Sequence, residues 1–358
     1  MERQVFEESR VDEGKLWECV LDERSGKPRL SKAVSFFSPL IQGKIPLLYE
    51  AFQYWRDFTE YLVLPAKNRR TGEVRAVAVL AAKRGNVVYS NRVEKRLGFL
   101  KRDENIEFFS LSDFKNFKKR SKVKTRLLWA TLTYDSKLCD LHTAWLNVAA
   151  EFNRWITNLR QRYGRIWYVS FVQAFPGSGS AFGYPHFHVI MLFEDTEFKV
   201  HARFEESEGK KEAVFRIGEK YEFEDAGRWH SFVDVKAVKS VKALFYYTRK
   251  YCKNTIQGKG SEATINACIS WLYRKRAFNV SGKFREMYHD LIRAMRNSKV
   301  FQSDLFGVEV KEWVFTCLGV FSASEIGVNG KDPPWFVLLS KEDLDRLAGL
   351  RSGGQRGL

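Results

Sequence analysis

The sequence predicts an α+β fold built on a central antiparallel sheet. Three apolar, β-branched runs, residues 127–133, 166–173 and 184–192, have the length and composition of buried strands. Between the first two runs, apolar residues recur at helical spacing. Hydrophobic residues make up 44% of the 358 residues and aromatic residues 15%, which supports a packed core and excludes a disordered chain.

The helix between the first two strands has sequence signals at both ends. Asp140 is a good N-cap, apolar positions from Leu141 to Leu159 recur every three or four residues, and Gly164 is a typical stop. The order strand, helix, strand, strand is that of a split β-α-β arrangement around an antiparallel sheet. We therefore expect this core at residues 121–285, with a polar insertion at about 194–230.

The N-terminal side of this core is predicted to be an addition to it. Residues 1–120 form an accessory region that is a candidate for DNA binding. Within it, we expect a helix at 47–64, a basic turn at 68–72 and a strand at 74–82.

Further elements are predicted in the insertion and on the C-terminal side. The insertion is expected to contain a hairpin at 215–223, and a short strand follows it at 232–235. Residues 286–358 form a C-terminal accessory region, in which Ser340 caps a final helix and residues 351–358 are a disordered tail.

Charge and cysteine content narrow the class of protein. The net charge of +17 and the pI of about 9.6 are typical of proteins that bind phosphates. No apolar run is long enough to span a membrane, and the first residues do not have the pattern of a signal peptide. The five cysteines are scattered without a Cys-x-x-Cys pair, which indicates reduced thiols in a cytoplasm. A phosphate-binding loop of the NTPase type is absent from the sequence, so a built-in helicase is not expected.

Two histidines stand two residues apart in the third strand. Because residues i and i+2 of a strand point to the same face, the imidazoles of His186 and His188 are expected side by side. Phe187, Val189 and Met191 then face a core. Neutral imidazole is a common ligand of divalent metals. The alternative for such a pair is two hydrogen-bonded histidines at a sheet edge.

A tyrosine-rich stretch at 240–254 has the pattern of a helix with three faces. Thr248 belongs to the buried face, and Arg249 and Lys253 belong to a basic face. Tyr247, Lys250 and Tyr251 share the third face, so that two phenols and an ammonium group are presented together. The alternative is a packing helix that is rich in tyrosine.

A second basic stretch, residues 115–126, precedes the first strand of the core. It contains Lys118, Lys119 and Arg120 with phenylalanines interleaved. This composition fits a track for a nucleic-acid backbone or a solvated loop equally well.

Three of these motifs, in this order, resemble those of the HUH endonucleases, in particular the two-tyrosine initiators of rolling-circle replication. The matches are Thr131-Leu132-Thr133, His186-Phe187-His188 and Tyr247-Thr248-Arg249-Lys250-Tyr251. The resemblance covers about residues 125–285. It implies that the two histidines and a third polar side chain bind Mg²⁺ or Mn²⁺. The third ligand is often a glutamate in that family, and Gln173 occupies the matching position here.

The resemblance further implies an activity, which is site-specific nicking and joining of single-stranded DNA through a 5′-phosphotyrosine. Tyr247 would be the nucleophile, Tyr251 would perform a second transfer, and Lys250 would stabilise the charge that develops. DNA contacts are expected from the side chains of Thr131, Thr133, Arg249, Lys253, Lys118, Lys119 and Arg120.

The implied partners are the single-stranded or hairpin DNA of a plasmid or viral origin and a host helicase and polymerase, in the cytoplasm of a prokaryotic or archaeal cell and without a membrane. One alternative stays within the superfamily, a transposase or a relaxase. The other is a non-catalytic protein that binds single-stranded nucleic acid, in which the histidines are structural.

Overall fold

The computed structural model describes residues 45–101, 123–175, 180–207, 210–217, 223, 227–238, 248, 261–297, 313–329 and 333–354. The chain forms two compact units. The first unit consists of Met1–Phe52 and Val93–Leu291, and the second of Gln53–Arg92 and Ile292–Leu358. The fold is α+β, with antiparallel sheets and six α-helices among the described residues. The domain boundaries that the sequence indicates stay predictions.

The first unit is built on an eight-stranded sheet with the strand order β10-β5-β6-β4-β9-β8-β7-β3. Its strands are β3 (Lys124–Thr125), β4 (Leu127–Thr133), β5 (Ile166–Ala174), β6 (Pro185–Phe193), β7 (Phe198–Ser207), β8 (Lys210–Ile217), β9 (Val233–Ala237) and β10 (Asn279–Val280). Strands β4 and β5 lie on either side of β6 and both run antiparallel to it, so they are parallel to each other.

Five helices include residues of the first unit. They are α1 (Ile45–Asp57), α2 (Val87–Leu97), α3 (Leu141–Tyr163), α4 (Ser261–Leu272) and α5 (Gly282–Asn297). Helix α3 connects β4 to β5, and both of its predicted ends are confirmed. The carboxylate of Asp140 accepts a hydrogen bond from the backbone N–H of Thr143 at 3.0 Å, and Gly164 ends the helix with a φ of 81°.

The core of this unit lies between α3 and one face of the sheet. The Phe152 ring stacks on Phe187 with ring centroids 4.5 Å apart, and it meets Tyr168 edge to face. Val189 and Met191 are fully buried on the same face of β6. The prediction that Phe187, Val189 and Met191 face a core is therefore confirmed, and the histidines between them point to the opposite face.

The second unit is built on a smaller antiparallel sheet. Its strands are β1 (Glu60–Asn68), β2 (Val74–Leu80), β11 (Trp313–Phe315), β12 (Gly319–Ser322) and β13 (Phe336–Leu339). Helix α6 (Lys341–Gly354) adds Leu347 to a core that contains Tyr61, Val63 and Phe321. Ser340 caps α6 as predicted, since its hydroxyl accepts from the N–H of Asp343 and its own N–H donates to the Asp343 carboxylate.

Two predictions of element boundaries near the ends of the chain were wrong. The helix expected at 47–64 ends at Asp57, and β1 follows from Glu60. Burial alternates along β1 because Tyr61 and Val63 face the core of the second unit, and this tertiary packing outweighs helical propensity. The tail expected to be disordered from residue 351 is helical up to Gly354, since the capped helix α6 continues through it.

A third wrong prediction concerns the hairpin of the insertion. It was expected at 215–223, but the hairpin is formed by β7 and β8, whose last pair is Ser207 with Lys210. Phe215 and Ile217 belong to β8 itself, where both are buried on the face that carries the core. The register of this hairpin places Ser207 opposite Lys210.

Other expectations have mixed outcomes. Strands at 127–133, 166–174, 185–193 and 74–80 agree with the predicted runs, and the short strand expected at 232–235 is β9. Cys139, Cys268 and Cys317, the cysteines among the described residues, form no disulfide. In the described part of the chain, no helix combines the length and the apolar character that crossing a membrane requires.

Candidate functional site

The two histidines of β6 stand next to each other on the face of the sheet that is opposite to α3. Their ring centroids are 4.7 Å apart, with the ring planes at 73°. His188 is 7% exposed and His186 is half-buried. The strand gives this geometry directly, because His186 and His188 alternate with the core residues Phe187 and Val189.

Cross-strand pairing surrounds the histidines with polar side chains. On the β4 side, Thr133 pairs with His186 and Thr131 pairs with His188. On the β5 side, Gln173 pairs with His186. Directly paired residues of antiparallel strands point to the same face, so all five side chains share one patch of the sheet. We call His186, His188, Gln173, Thr131 and Thr133 the histidine patch.

A short hydrogen-bond chain orients the inner histidine. The indole N–H of Trp129 donates to the Thr131 hydroxyl at 3.2 Å, and that hydroxyl lies 3.4 Å from Nδ1 of His188. Since a hydroxyl can either donate to Nδ1 or accept from it, Thr131 is compatible with both neutral tautomers. The Trp129 ring also packs against the His188 ring at 5.3 Å.

Burial keeps both imidazoles neutral. Desolvation lowers the pKa of His186 from 6.5 to about 4. Desolvation, and after it the neighbouring charge of His186, lowers the pKa of His188 to about 3. The neutral form is the one that binds a metal, so the histidine patch presents two ligand-competent imidazoles at neutral pH.

The residues of the patch fit a divalent metal in part. Nδ1 of His186 is buried and accepts no hydrogen bond from any described residue, which leaves one ring nitrogen for a ligand. Among the described residues, no group of three or more His, Cys, Asp or Glu side chains is arranged to hold a metal. A metal here would therefore take His186, His188 and a neutral oxygen such as the amide of Gln173.

Two acidic residues that follow β6, Glu194 and Asp195, are too far from the histidines to replace Gln173 as a third ligand. Glu194 lies six residues beyond His188, which corresponds to about 20 Å along a strand. Its carboxylate pairs with Arg165 at 2.9 Å, and the carboxylate of Asp195 accepts a hydrogen bond from the Arg165 N–H at 2.8 Å. Both acids therefore bind Arg165 and stabilise the turn that follows α3.

An ionic network that sequence reasoning missed continues the same sheet face. Asp234 on β9 pairs with Thr131 and is held by Arg216 of β8 and by Lys236, whose Nζ is 3.2 Å from its carboxylate. Arg216 also binds Glu205 at 2.8 Å. Because two cations already occupy the Asp234 carboxylate, it is not available as a third metal ligand. The alternation of polar Asp234 and Lys236 with apolar neighbours was the signal for this face.

A tyrosine that sequence reasoning did not single out belongs to the first unit. The Tyr273 hydroxyl lies 2.7 Å from Nδ1 of His142, and its ring stacks on Trp145 at an interplanar angle of 7°. Burial raises the pKa of Tyr273 above the ordinary value of 10. A phenol with a raised pKa forms less phenolate at neutral pH and is therefore a poorer nucleophile. Tyr273 is thus a suitable control residue in experiments on the predicted nucleophiles Tyr247 and Tyr251.

The remaining residues of the predicted site lie outside the described residues: Tyr247, Lys250, Tyr251, Arg249, Lys253, Lys118, Lys119 and Arg120. Thr248 is the described residue within that tyrosine stretch. It is helical and 1% exposed, as its predicted place on the buried face of a helix requires.

Comparison of the chain with protein-family models, with curated proteins and with solved structures gives no match.

Proposed function

We propose that the first unit is a metal-dependent endonuclease and strand transferase of the HUH type, which nicks and rejoins single-stranded DNA at a replication origin. The histidine patch is the single observation that carries this proposal. It combines two neutral imidazoles 4.7 Å apart with an amide and two hydroxyls on one sheet face. A structural pair at a sheet edge does not explain it, because β6 is an inner strand.

The topology around β6 supports the same reading. The strands β4 and β5 are joined by α3 and flank β6, which is the split β-α-β order expected of this class. The Thr-x-Thr motif at the end of β4 lies directly beside the His-x-His motif of β6, since Thr131 pairs with His188 and Thr133 with His186. Two motifs that are 53 residues apart in the sequence thus belong to one patch.

His186, His188 and Gln173 would hold Mg²⁺ or Mn²⁺. When bound, such an ion polarises a phosphodiester and neutralises the charge that develops on it. Thr131 holds the ring of His188 through its contact with Nδ1, as hydrogen-bonded neighbours of metal ligands commonly do. The neutral set of protein ligands leaves the full charge of the ion to act on the DNA.

The proposed reaction is a transfer without net hydrolysis. The phenol oxygen of Tyr247 bonds to phosphorus, the bond from phosphorus to the 3′ oxygen breaks, and the phenol proton ends on that oxygen. The products are a 5′-phosphotyrosine and a free 3′-hydroxyl. Lys250 stabilises the negative charge of the phenolate or the phosphate, and Tyr251 carries out the second transfer. Since one phosphodiester replaces another, rejoining needs no ATP.

A second candidate is a non-catalytic protein that binds single-stranded nucleic acid. Such proteins stack bases on aromatic side chains that are exposed on a sheet. Trp129 and Phe171, which lie next to His188 on this face, are only 8% and 3% exposed, and Phe175, next to His186, is half-buried. Stacking on this part of the sheet is therefore disfavoured, whereas the half-buried His186 stays within reach of a ligand.

The test is a covalent-adduct assay. Purified protein with Mn²⁺ is mixed with a pool of random single-stranded and hairpin oligonucleotides labelled on the 3′ side of any cut, and protein that keeps the label in detergent is isolated. We expect a labelled adduct that a chelator prevents. Mass spectrometry of the adduct then identifies the tyrosine that is modified.

Three variants make the assay specific. Tyr247→Phe should abolish the first adduct, Tyr251→Phe should leave nicking but impair rejoining, and Tyr273→Phe is the matched control that should keep full activity. Unchanged adduct formation in both Tyr247→Phe and the Tyr247→Phe/Tyr251→Phe double variant would refute the proposed nucleophiles. A transposase or relaxase would give an adduct as well, and the sequence of the captured strands separates them from an origin nickase.

A further inference from the structure

The β1–β2 hairpin of the second unit ends in a rigid tip. Asn68 is 4% exposed, and its side-chain oxygen accepts hydrogen bonds from the N–H groups of Arg70 at 2.8 Å and Thr71 at 3.0 Å. The N–H of Gly72 donates to the Asn68 carbonyl, and Gly72 has a φ of 73°, which suits glycine best. The tip is therefore held in one conformation while its side chains project outwards.

This tip borders an open cavity of about 690 Å³. Lys67, Arg69 and Arg70 line the cavity, and all three are exposed. Its walls add the apolar side chains of Pro65 and Val314, and none of the described residues that line it carries a carboxylate. Three cations without a lining acid make a site for an anion that is larger than a single ion.

The acid of the hairpin does not cancel this charge. The carboxylate of Glu73 is held by Arg75 through a bond of 2.7 Å, and the Arg75 guanidinium also lies over the Trp313 ring at 5.3 Å. Glu73 and Arg75 thus neutralise each other. Lys67, Arg69 and Arg70 place three basic side chains at the tip of this hairpin.

We propose that this hairpin tip binds the phosphodiester backbone of DNA, at a place that is distinct from the histidine patch. Guanidinium groups match phosphate oxygens in a two-pronged geometry, and their charge displaces condensed counterions from the DNA. The apolar walls suit the sugars. The uncharged polar side chains of the lining are Thr71, Thr316 and Asn68, and the side-chain oxygen of Asn68 is already engaged by the backbone of the tip, so the contact is expected to be largely independent of sequence. This inference does not depend on the proposed nuclease activity.

The test measures DNA affinity of the full chain as a function of salt concentration, in EDTA so that no cleavage occurs. The logarithm of the affinity falls linearly with the logarithm of salt concentration, with a slope of about −0.9 per phosphate contact on duplex DNA and about −0.7 on single strands. For the Arg69→Gln/Arg70→Gln variant, we therefore expect the slope on duplex DNA to become shallower by about 1.8.

A matched control removes the same charge from another exposed part of the second unit. Lys341→Gln/Arg351→Gln alters two exposed cations of α6 and should leave the slope of the wild type unchanged. A duplex and a single strand of equal length form the two arms of the measurement. The arm in which the hairpin variant loses more contacts identifies the form of DNA that is bound.

Several outcomes would overturn the proposal. An unchanged slope for the hairpin variant in both arms means that the tip does not contact phosphates. Equal changes in the hairpin and α6 variants mean that only net charge matters. Thermal unfolding of each variant verifies the fold first, and Asn68 and Gly72 are left intact for that reason. Failure here leaves the covalent-adduct result untouched, because that assay depends on residues of the first unit.

Discussion

Lowering the pH from 7 to 5 should destabilise the first unit through His186 and His188, the two histidines of β6. In the unfolded chain a histidine has a pKa near 6.5, whereas burial lowers the pKa of His186 to about 4 and that of His188 to about 3. Each folded-state pKa is lower than the unfolded value, so the unfolded state binds more protons as the pH falls below 6.5. The contribution of these two histidines to stability is therefore fully present above pH 6.5. It decreases as the pH falls from 6.5 to the pKa values of the folded state.

The size of the effect follows from the same pKa values. Between pH 7 and pH 5, protonation stabilises each histidine of the unfolded chain by about 2 kcal/mol, because one pKa unit corresponds to 1.36 kcal/mol. The folded imidazoles stay mostly neutral over this range and gain almost nothing. The pair contributes up to about 4 kcal/mol. A loss of that size is a large fraction of the roughly 5–15 kcal/mol by which domains are stable.

The assay is urea unfolding at pH 7 and pH 5, followed by hydrogen exchange of the peptide that contains β6, so that the first unit is measured by itself. The His186→Gln/His188→Gln variant cannot titrate at these positions and should lose about 4 kcal/mol less than the wild type between the two pH values. His289→Gln, at an exposed position of α5, is the control and should behave as the wild type. If the double variant and the wild type lose the same stability, the imidazoles are not buried as neutral groups.

Four further predictions concern the metal, the core and the helix cap. At neutral pH, Mn²⁺ at 100 times its dissociation constant should stabilise the wild type by about 2.7 kcal/mol and the histidine double variant not at all, as measured by unfolding with and without chelator. Gln173→Glu should tighten Mn²⁺ binding in calorimetry, because it adds a charged oxygen opposite His186; weaker binding would exclude position 173 from the metal site. Phe152→Ala should lower the free energy of unfolding in urea by about 3–5 kcal/mol, because it removes a ring from the core. Asp140→Ala should lower it by about 1 kcal/mol, because it removes the N-cap of α3. Equal losses in the two variants would contradict the packing described for α3.

Local periodicity predicted much of the first unit. The alternation in β6 assigned Phe187, Val189 and Met191 to the core and both histidines to the other face, and the cap and stop of α3 were evident from Asp140 and Gly164. These features depend on residues that are close together in the sequence, so they can be predicted from the sequence itself. The boundaries that failed, at Asp57 and at Gly354, depend on packing against Tyr61 and Leu347 in the second unit's core.

Pairing between distant strands could not be obtained in this way. The strand β9 lies next to β4, and it therefore brings Asp234 beside Thr131, although about a hundred residues separate the two strands. Likewise, the sheet of the second unit joins β1 and β2 to β11, β12 and β13 from the other end of the chain. A periodic pattern specifies which face a residue occupies, but it contains no information about which strand will become the neighbour.

The charged residues around the histidine patch bear on whether the proposed enzyme would hydrolyse DNA or transfer a strand to one of its own side chains. A hydrolytic metal site activates water on the metal and often uses a carboxylate as the base, and the described acids nearest in sequence or register, Glu194 and Asp234, are held by Arg165 and Arg216. A transferase that uses a protein hydroxyl as the nucleophile has no such requirement. In the proposed mechanism, the patch would supply the metal ligands and their orientation, and the nucleophile would come from another element. The proposed phosphotyrosine mechanism therefore predicts that the cut strand stays attached to the protein, and cleavage of DNA by this chain without a covalent adduct would contradict it.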